Sequence, residues 1–232
     1  HNILGIDNIN TYYDKELKLS RLKNLKSNAN FKFEKTDINE YDELKKRFTS
    51  FNPQKVVNLA AQAGVRYSLV NPHAYVESNL VGFVNIAELC REFNVESLIY
   101  ASSSSVYGNR KDLPYKIEGN TDKPISLYGA TKKANEIIAH SYSHLYDLNT
   151  IGLRYFTVYG SWYRPDMALF IFTSKIINNE KIEVFNHGDM KRDFTYVDDI
   201  IEGTISAIES DFKNEIFNLG NNKSEKLLDV IN

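Results

Sequence analysis

Ser126-Leu127-Tyr128-Gly129-Ala130-Thr131-Lys132 sets a phenol and an ammonium four residues apart. Apolar side chains at Ala130, Ala134, Ile137, Ile138 and Leu145 predict a helix over residues 128–146. Side chains at i and i+4 lie over one another on a helix, so Tyr128 and Lys132 share a face. A free tyrosine has a pKa of ~10 and is a poor base near neutrality; bringing it to ~7 takes roughly 4 kcal/mol. A cation ~4 Å away in a partly buried site supplies on the order of 4 kcal/mol. The pair therefore predicts a phenol that takes a proton from a hydroxyl. A packed tyrosine beside a solvated lysine fits the same seven residues, and the neighbouring blocks decide between the two.

Upstream, the apolar run Leu98-Ile99-Tyr100 leads into Ala101-Ser102-Ser103-Ser104-Ser105-Val106-Tyr107-Gly108. Small hydroxyl residues at the end of a buried strand suit a crevice at the strand's carboxyl end. Downstream, residues 150–154 read as a strand that runs into Tyr155-Phe156-Thr157. The order of these blocks resembles the extended short-chain dehydrogenases/reductases that act on nucleotide sugars. Four longer stretches sharpen the likeness: residues 58–68 (NLAAQAGVRYS), 101–108 (ASSSSVYG), 140–146 (HSYSHLY) and 192–199 (RDFTYVDD). Together they look like the UDP-glucuronate 4-epimerases within that family.

The remaining pattern is strand and helix in alternation. Strands are predicted at residues 2–6, 31–36, 56–59, 182–185 and 216–220, and helices at 14–28, 40–51, 72–93, 170–178 and 200–208. Leu17, Leu22 and Leu25 form the inward stripe expected of the first helix. The fold class is α/β, and the resemblance implies a Rossmann-like doubly wound parallel sheet. It also implies an NAD-binding domain over residues 1–165 and a smaller substrate lobe over 166–232, parts of which return to the main domain.

Asp7 closes the first strand. By its residues alone it is equally a turn aspartate or the acid that binds an adenosine ribose 2′-hydroxyl. The resemblance implies the second role, favours NAD over NADP, and adds Asn8, Asp37, Ile38, Asn79 and Tyr155 to the cofactor contacts. Ala60, Ala61 and Ala63 are small enough for backbone to approach a pyrophosphate. None of the 11 glycines forms G-x-G-x-x-G. The family's phosphate loop and first strand precede the position of His1. A fragment of a longer protein, which by itself binds NAD weakly or not at all, is therefore expected.

The resemblance places Ser103 and Ser105 beside the sugar's O4, together with Tyr128 and Lys132 as the catalytic set. Ser104 and Ser105 stand where related dehydratases and decarboxylases carry an acid, which favours plain epimerisation. Residues 161–167 (SWYRPDM) resemble the family's PWGRPDM. Arg164 is the implied partner of a sugar carboxylate, with Thr157 beside it, and Arg192 that of the UDP diphosphate. Arg66 is either a further ligand of substrate or a surface arginine. Tyr163 replaces the family glycine, and a disturbed positive-φ turn is expected there. The implied reaction is NAD-dependent inversion of UDP-glucuronate at C4 through a 4-keto sugar, feeding polysaccharide synthesis. Two alternatives stand: a 4-epimerase for another UDP-sugar, or a non-catalytic Rossmann remnant.

Composition narrows the classes. A net charge of -2 with 42% hydrophobic residues is that of an ordinary folded chain, with no basic stripe for nucleic acid. No apolar run approaches the ~18 residues of a membrane span, and no signal-peptide pattern is visible. One cysteine, Cys90, precludes an internal disulfide and suits a reducing cytoplasm. His140 and His144 have a zinc-compatible spacing but lack a third ligand, so no metal is expected. The resemblance places their helix in a homodimer interface.

Overall fold

The computed structural model describes residues 1–231. In chain order its elements are β1 (Ile3–Asp7), α1 (Lys15–Leu25), β2 (Phe31–Lys35), α2 (Tyr41–Phe51), β3 (Lys55–Asn58), α3 (Tyr67–Val70), α4 (Pro72–Val76) and α5 (Gly82–Glu92). There follow β4 (Ser97–Ser103), α6 (Leu127–Tyr146), β5 (Asn149–Tyr155), β6 (Thr157–Tyr159), α7 (Ala168–Ile177), β7 (Lys191–Tyr196), α8 (Val197–Glu209), β8 (Glu215–Leu219), β9 (Ser224–Lys226) and α9 (Leu227–Ile231).

Strands β3, β4, β5 and β8 form one wholly parallel sheet in that order, and β1 pairs with β2 in a second parallel sheet. Strands β4 and β5 are buried along almost their whole length, as central parallel strands with helices on both faces must be. Alternation along β4 sends Leu98 and Tyr100 into a core with Leu44, Phe48, Phe83, Ile86 and Leu89 from α2 and α5. Ile6 of β1 and Val56 of β3 both pack against that core, so it spans the two sheets. Ile99 points the other way, into a core with Ile151, Leu153 and Ala207, which α8 covers. The doubly wound arrangement expected from the sequence is thus present. A smaller sheet, β6-β7-β9, carries the parallel pair β6–β7 and the antiparallel pair β7–β9.

Three local expectations are corrected. Residues 182–184 form no strand. Val184 is extended (φ -108°, ψ 120°), but the chain then turns at Asn186 and His187, both at φ 50°, and no described strand pairs with it. The helix expected over residues 72–93 is interrupted by a π-helical turn, Glu77–Val81, between α4 and α5. Helix α1 buries none of its residues fully, and Leu25 is exposed. Helix α6 buries a polar face. Thr131, Lys132, Asn135 and Glu136 face inward, whereas Ile137 and Leu145 face solvent.

Candidate active site

The parallel strands deliver their carboxyl ends to one side of the molecule: Asp7 from β1, Asn58 from β3, Ser103 from β4 and Tyr155 from β5. Helix α6 begins against the turn that follows β4. The Ser126 hydroxyl caps it by accepting from the Gly129 N–H at 3.0 Å. Gly129 permits a close approach, since a Cβ there would stand 2.7 Å from the Ser105 carbonyl oxygen. Tyr128 is thereby set beside the serine turn. Ser103 Oγ donates to Ser105 Oγ at 3.2 Å and accepts from the Ser105 N–H at 3.2 Å.

Lys132 is 4% exposed, and its Nζ donates to the Ala101 carbonyl at 2.8 Å. Burial lowers its pKa from 10.5 to about 8. Tyr128 behaves differently from the sequence expectation. Burial pushes its phenol above the ordinary value, and the opposing influences are the Ser103 hydroxyl and the Arg164 guanidinium. Lys132 is not among the influences that lower the phenol, and its ammonium is aimed at the β4 backbone. Tyr75 lies edge-on to Tyr128, with centroids 6.2 Å apart. Its hydroxyl donates to the Ala63 carbonyl (2.8 Å) and to that of Gly64.

A buried asparagine organises the floor. Asn79, 1% exposed, sits on the π turn. Its Oδ1 accepts from the Gln62 N–H (2.8 Å), and its Nδ2 donates to the Gln62 carbonyl (3.0 Å) and to Thr131 Oγ1 (3.0 Å). Its own carbonyl accepts from Asn135 Nδ2 at 2.6 Å. The loop holding Ala60, Ala61 and Ala63 is thus pinned to α6, and those alanines are exposed or half-buried. A second buried network lies behind the serines. Arg154 grips Glu136 through Nε (2.8 Å) and Nη2 (3.0 Å), and Glu136 also accepts from Ser102 Oγ at 2.6 Å. Arg154 and Ser102 balance the burial of Glu136 and hold its carboxyl below the usual range.

At the far end of the crevice, Asn8 Nδ2 donates to Asp37 Oδ2 at 2.8 Å, so two of the residues assigned to adenosine meet. Asp7 Oδ1 accepts from the Ile9 N–H at 2.6 Å and is exposed. Ile38 is only 9% exposed, packed over Gly82, and has little face left for a ring. Tyr155 departs further. Residues 151, 153 and 155 share one face of β5, so its ring joins the core under α8 and its hydroxyl pairs with Thr204 Oγ1 at 3.0 Å. Its side chain is half-buried there.

Arg164 pairs bidentately with Asp166, at 2.9 and 2.7 Å, and its charge is felt at Tyr128. Thr157 begins β6 and is half-buried. The positive φ expected at Tyr163 falls instead on Trp162 (φ 60°), so Tyr163 does not strain the turn. Arg192 is exposed on β7, where it donates to the Lys191 carbonyl at 2.8 Å. Arg66 is exposed at the head of α3. Ser104 opens a short 3-10 turn, Ser104–Tyr107. His140 Nδ1 lies 2.8 Å from Asn214 Nδ2, and no group of metal-ligating side chains occurs among the described residues. Sequence reasoning missed Tyr12, Tyr75, Glu136 and Arg154. An arginine inside the apolar run Ile151-Gly152-Leu153 to Tyr155 was the available signal for the last.

Residues 3–220 match the family model described as the NAD dependent epimerase/dehydratase family. The chain is 50% identical to Protein CapI of Staphylococcus aureus, covering 100% of this chain and 74% of that protein. It is 45% identical to UDP-glucuronate 4-epimerase 4 of Arabidopsis thaliana, over 99% of this chain but just 56% of that protein. Among solved structures, UDP-glucuronic acid 4-epimerase from Bacillus cereus, in complex with UDP-glucuronic acid and NAD, superposes with a TM-score of 0.90 at 33% identity. That match covers 98% of this chain and 72% of the Bacillus chain. The Rossmann-like fold expected from the sequence is the fold of that neighbour.

Proposed function

Because the chain belongs to the NAD-dependent epimerase/dehydratase family, we propose that it inverts C4 of UDP-glucuronate to give UDP-galacturonate. One observation carries the reading: a half-buried phenol, Tyr128, lies beside the Ser103 hydroxyl and in the field of Arg164. A hydroxyl acid/base and a cation suited to a carboxylate thus share one crevice.

Tyr128 takes the proton of the sugar's O4 and later returns it. Ser103 and Ser105 hold that oxygen by hydrogen bonds. Neither Ser104 nor Ser105 provides a carboxylate for proton transfer at the sugar carbons, which favours plain epimerisation over dehydration or decarboxylation. Thr157 and Arg164 receive the C6 carboxylate, and Arg192 and Arg66 the diphosphate.

The residues fit a bound NAD. Asp7 is exposed at the end of β1 for a ribose, Asn8 and Asp37 stand together for adenosine, and the Ala60–Ala61–Ala63 loop is held open by Asn79. Ile38 would contribute by backbone, and Tyr155 from the end of β5. When bound, the dinucleotide supplies the hydride acceptor and donor at C4 and a positive charge near the phenol. Lys132 lies one helical turn away, held on the Ala101 carbonyl.

A second copy of the chain docks on α6 in this reading. Support comes from Ile137 and Leu145, left open on α6, and from Val81 on the π turn packed against it.

The test is a product assay with excess NAD, since no glycine-rich phosphate loop occurs in these 232 residues. UDP-glucuronate should yield UDP-galacturonate, faster than UDP-glucose yields its C4 epimer. Absence of C4 inversion, or faster turnover of the neutral sugar, would contradict the proposal.

A further inference from the structure

Three loops that follow different strands meet at one carboxylate. Arg164 donates from Nε to Asp166 Oδ1 (2.9 Å) and from Nη2 to Asp166 Oδ2 (2.7 Å). Tyr12, in the loop after β1, donates its hydroxyl to the same Oδ2 at 3.0 Å. The loop after β3 contributes Gly64. A Cβ there would stand 2.7 Å from the Tyr12 hydroxyl oxygen and 3.6 Å from Asp166 Oδ2, and its φ of +94° already disfavours a side chain. The Tyr12 ring is tilted on Tyr67 with centroids 4.8 Å apart. Arg21 closes the same seam by donating to the Tyr13 hydroxyl (2.8 Å) and to the Trp162 carbonyl.

An arginine side chain is long and rotamer-rich, so a site that must read a carboxylate has to hold its guanidinium still. Asp166 alone would move with Arg164, because the two sit on one loop. Tyr12 comes from a segment 154 residues away and fixes Asp166 to a second strand end. Clamped on its Nε and Nη2 side, Arg164 keeps Nη1, for which no partner occurs among the described residues.

We propose that Tyr12 is a specificity-determining positioning residue: through Asp166 it holds the Arg164 guanidinium with Nη1 presented, and so selects a sugar bearing a carboxylate over one bearing a hydroxymethyl group. This rests on the reading of Arg164 as the carboxylate's partner.

Tyr12→Phe keeps the ring on Tyr67 and removes only the hydroxyl. Calorimetry is run with UDP-glucuronate, UDP-glucose and UDP on the parent, on Tyr12→Phe and on Asp166→Asn, with melting temperatures alongside. A hydrogen bond to a charged group supports an effect of about tenfold. Tyr12→Phe should weaken UDP-glucuronate by that factor, leave UDP-glucose and UDP unchanged, and add nothing further when combined with Asp166→Asn. A merely structural Tyr12 would weaken all three ligands together and lower the melting temperature. That outcome, or a full uronate preference in Tyr12→Phe, overturns the proposal while the reading of Arg164 stands. A parent without uronate preference overturns both. Asp166→Asn carries the test if Tyr12→Phe does not fold, since it should lose the preference in the same direction.

Discussion

At the residue scale, the spacing of Tyr128 and Lys132 was legible and the direction in which the ammonium points was not. Four residues of helix bring the two to one side, but an ammonium acts on what it points at. Lys132 Nζ points at the Ala101 carbonyl, a β4 group that only the folded chain places there. Its burial has a measurable consequence. The native ammonium loses its proton near 8, whereas the unfolded chain keeps it to 10.5. The unfolded state therefore binds more protons across that window, and stability climbs with pH through it, by about 3 kcal/mol in all. Lys132→Met should abolish the climb and be more stable than the parent at pH 7, as read by urea unfolding from pH 7 to 10. A parent whose stability is flat over that range would refute this. Tyr155 teaches the complementary lesson. Strand parity decides its direction, and parity depends on which face α8 covers.

At the element scale, the alternation of strands and helices, the burial of β4 and β5 and the helix after the serine turn were all readable from apolar patterning. The π turn was not. Residues 72–93 carry one continuous helical pattern, and the interruption follows from where Asn79 must sit to reach Gln62 and Thr131. Such turns recur at functional positions for this reason. Asn79→Ala would leave the Gln62 N–H and carbonyl without their buried partner, at a cost on the order of 3 kcal/mol. A falling denaturation midpoint together with weaker dinucleotide binding is expected; an unchanged midpoint would show that the loop is held some other way. The inward face of α6 is polar because its polar residues find partners: Glu136 in Arg154 and Ser102, Asn135 in the Asn79 carbonyl, and Lys132 in Ala101. Satisfied polar groups can be buried, and the apolar ones are then free to face outward.

At the scale of the whole molecule, two cores on opposite sides of one parallel sheet bring distant loops to its carboxyl edge, where Tyr12, Gly64, Ser103, Tyr128 and Arg164 converge. The contacts between residues far apart in sequence were the illegible part, Tyr12 with Asp166 above all, since no local pattern encodes them. The exposed apolar side chains of α6 belong to this scale too. Ile137 is 55% exposed and Leu145 65%. Ile137→Asp should turn a dimer into a monomer by sedimentation velocity, because a buried unpaired carboxylate at an interface is strongly unfavourable; a monomeric parent would refute the interface. The central claim is that the Tyr128 hydroxyl moves the O4 proton. Its most direct test is the turnover of Tyr128→Phe on UDP-glucuronate, with sugar affinity measured alongside. Loss of a positioned acid/base should lower kcat by roughly 10²–10⁴ while leaving affinity nearly intact. A variant that turns over at the parent's rate would contradict the account.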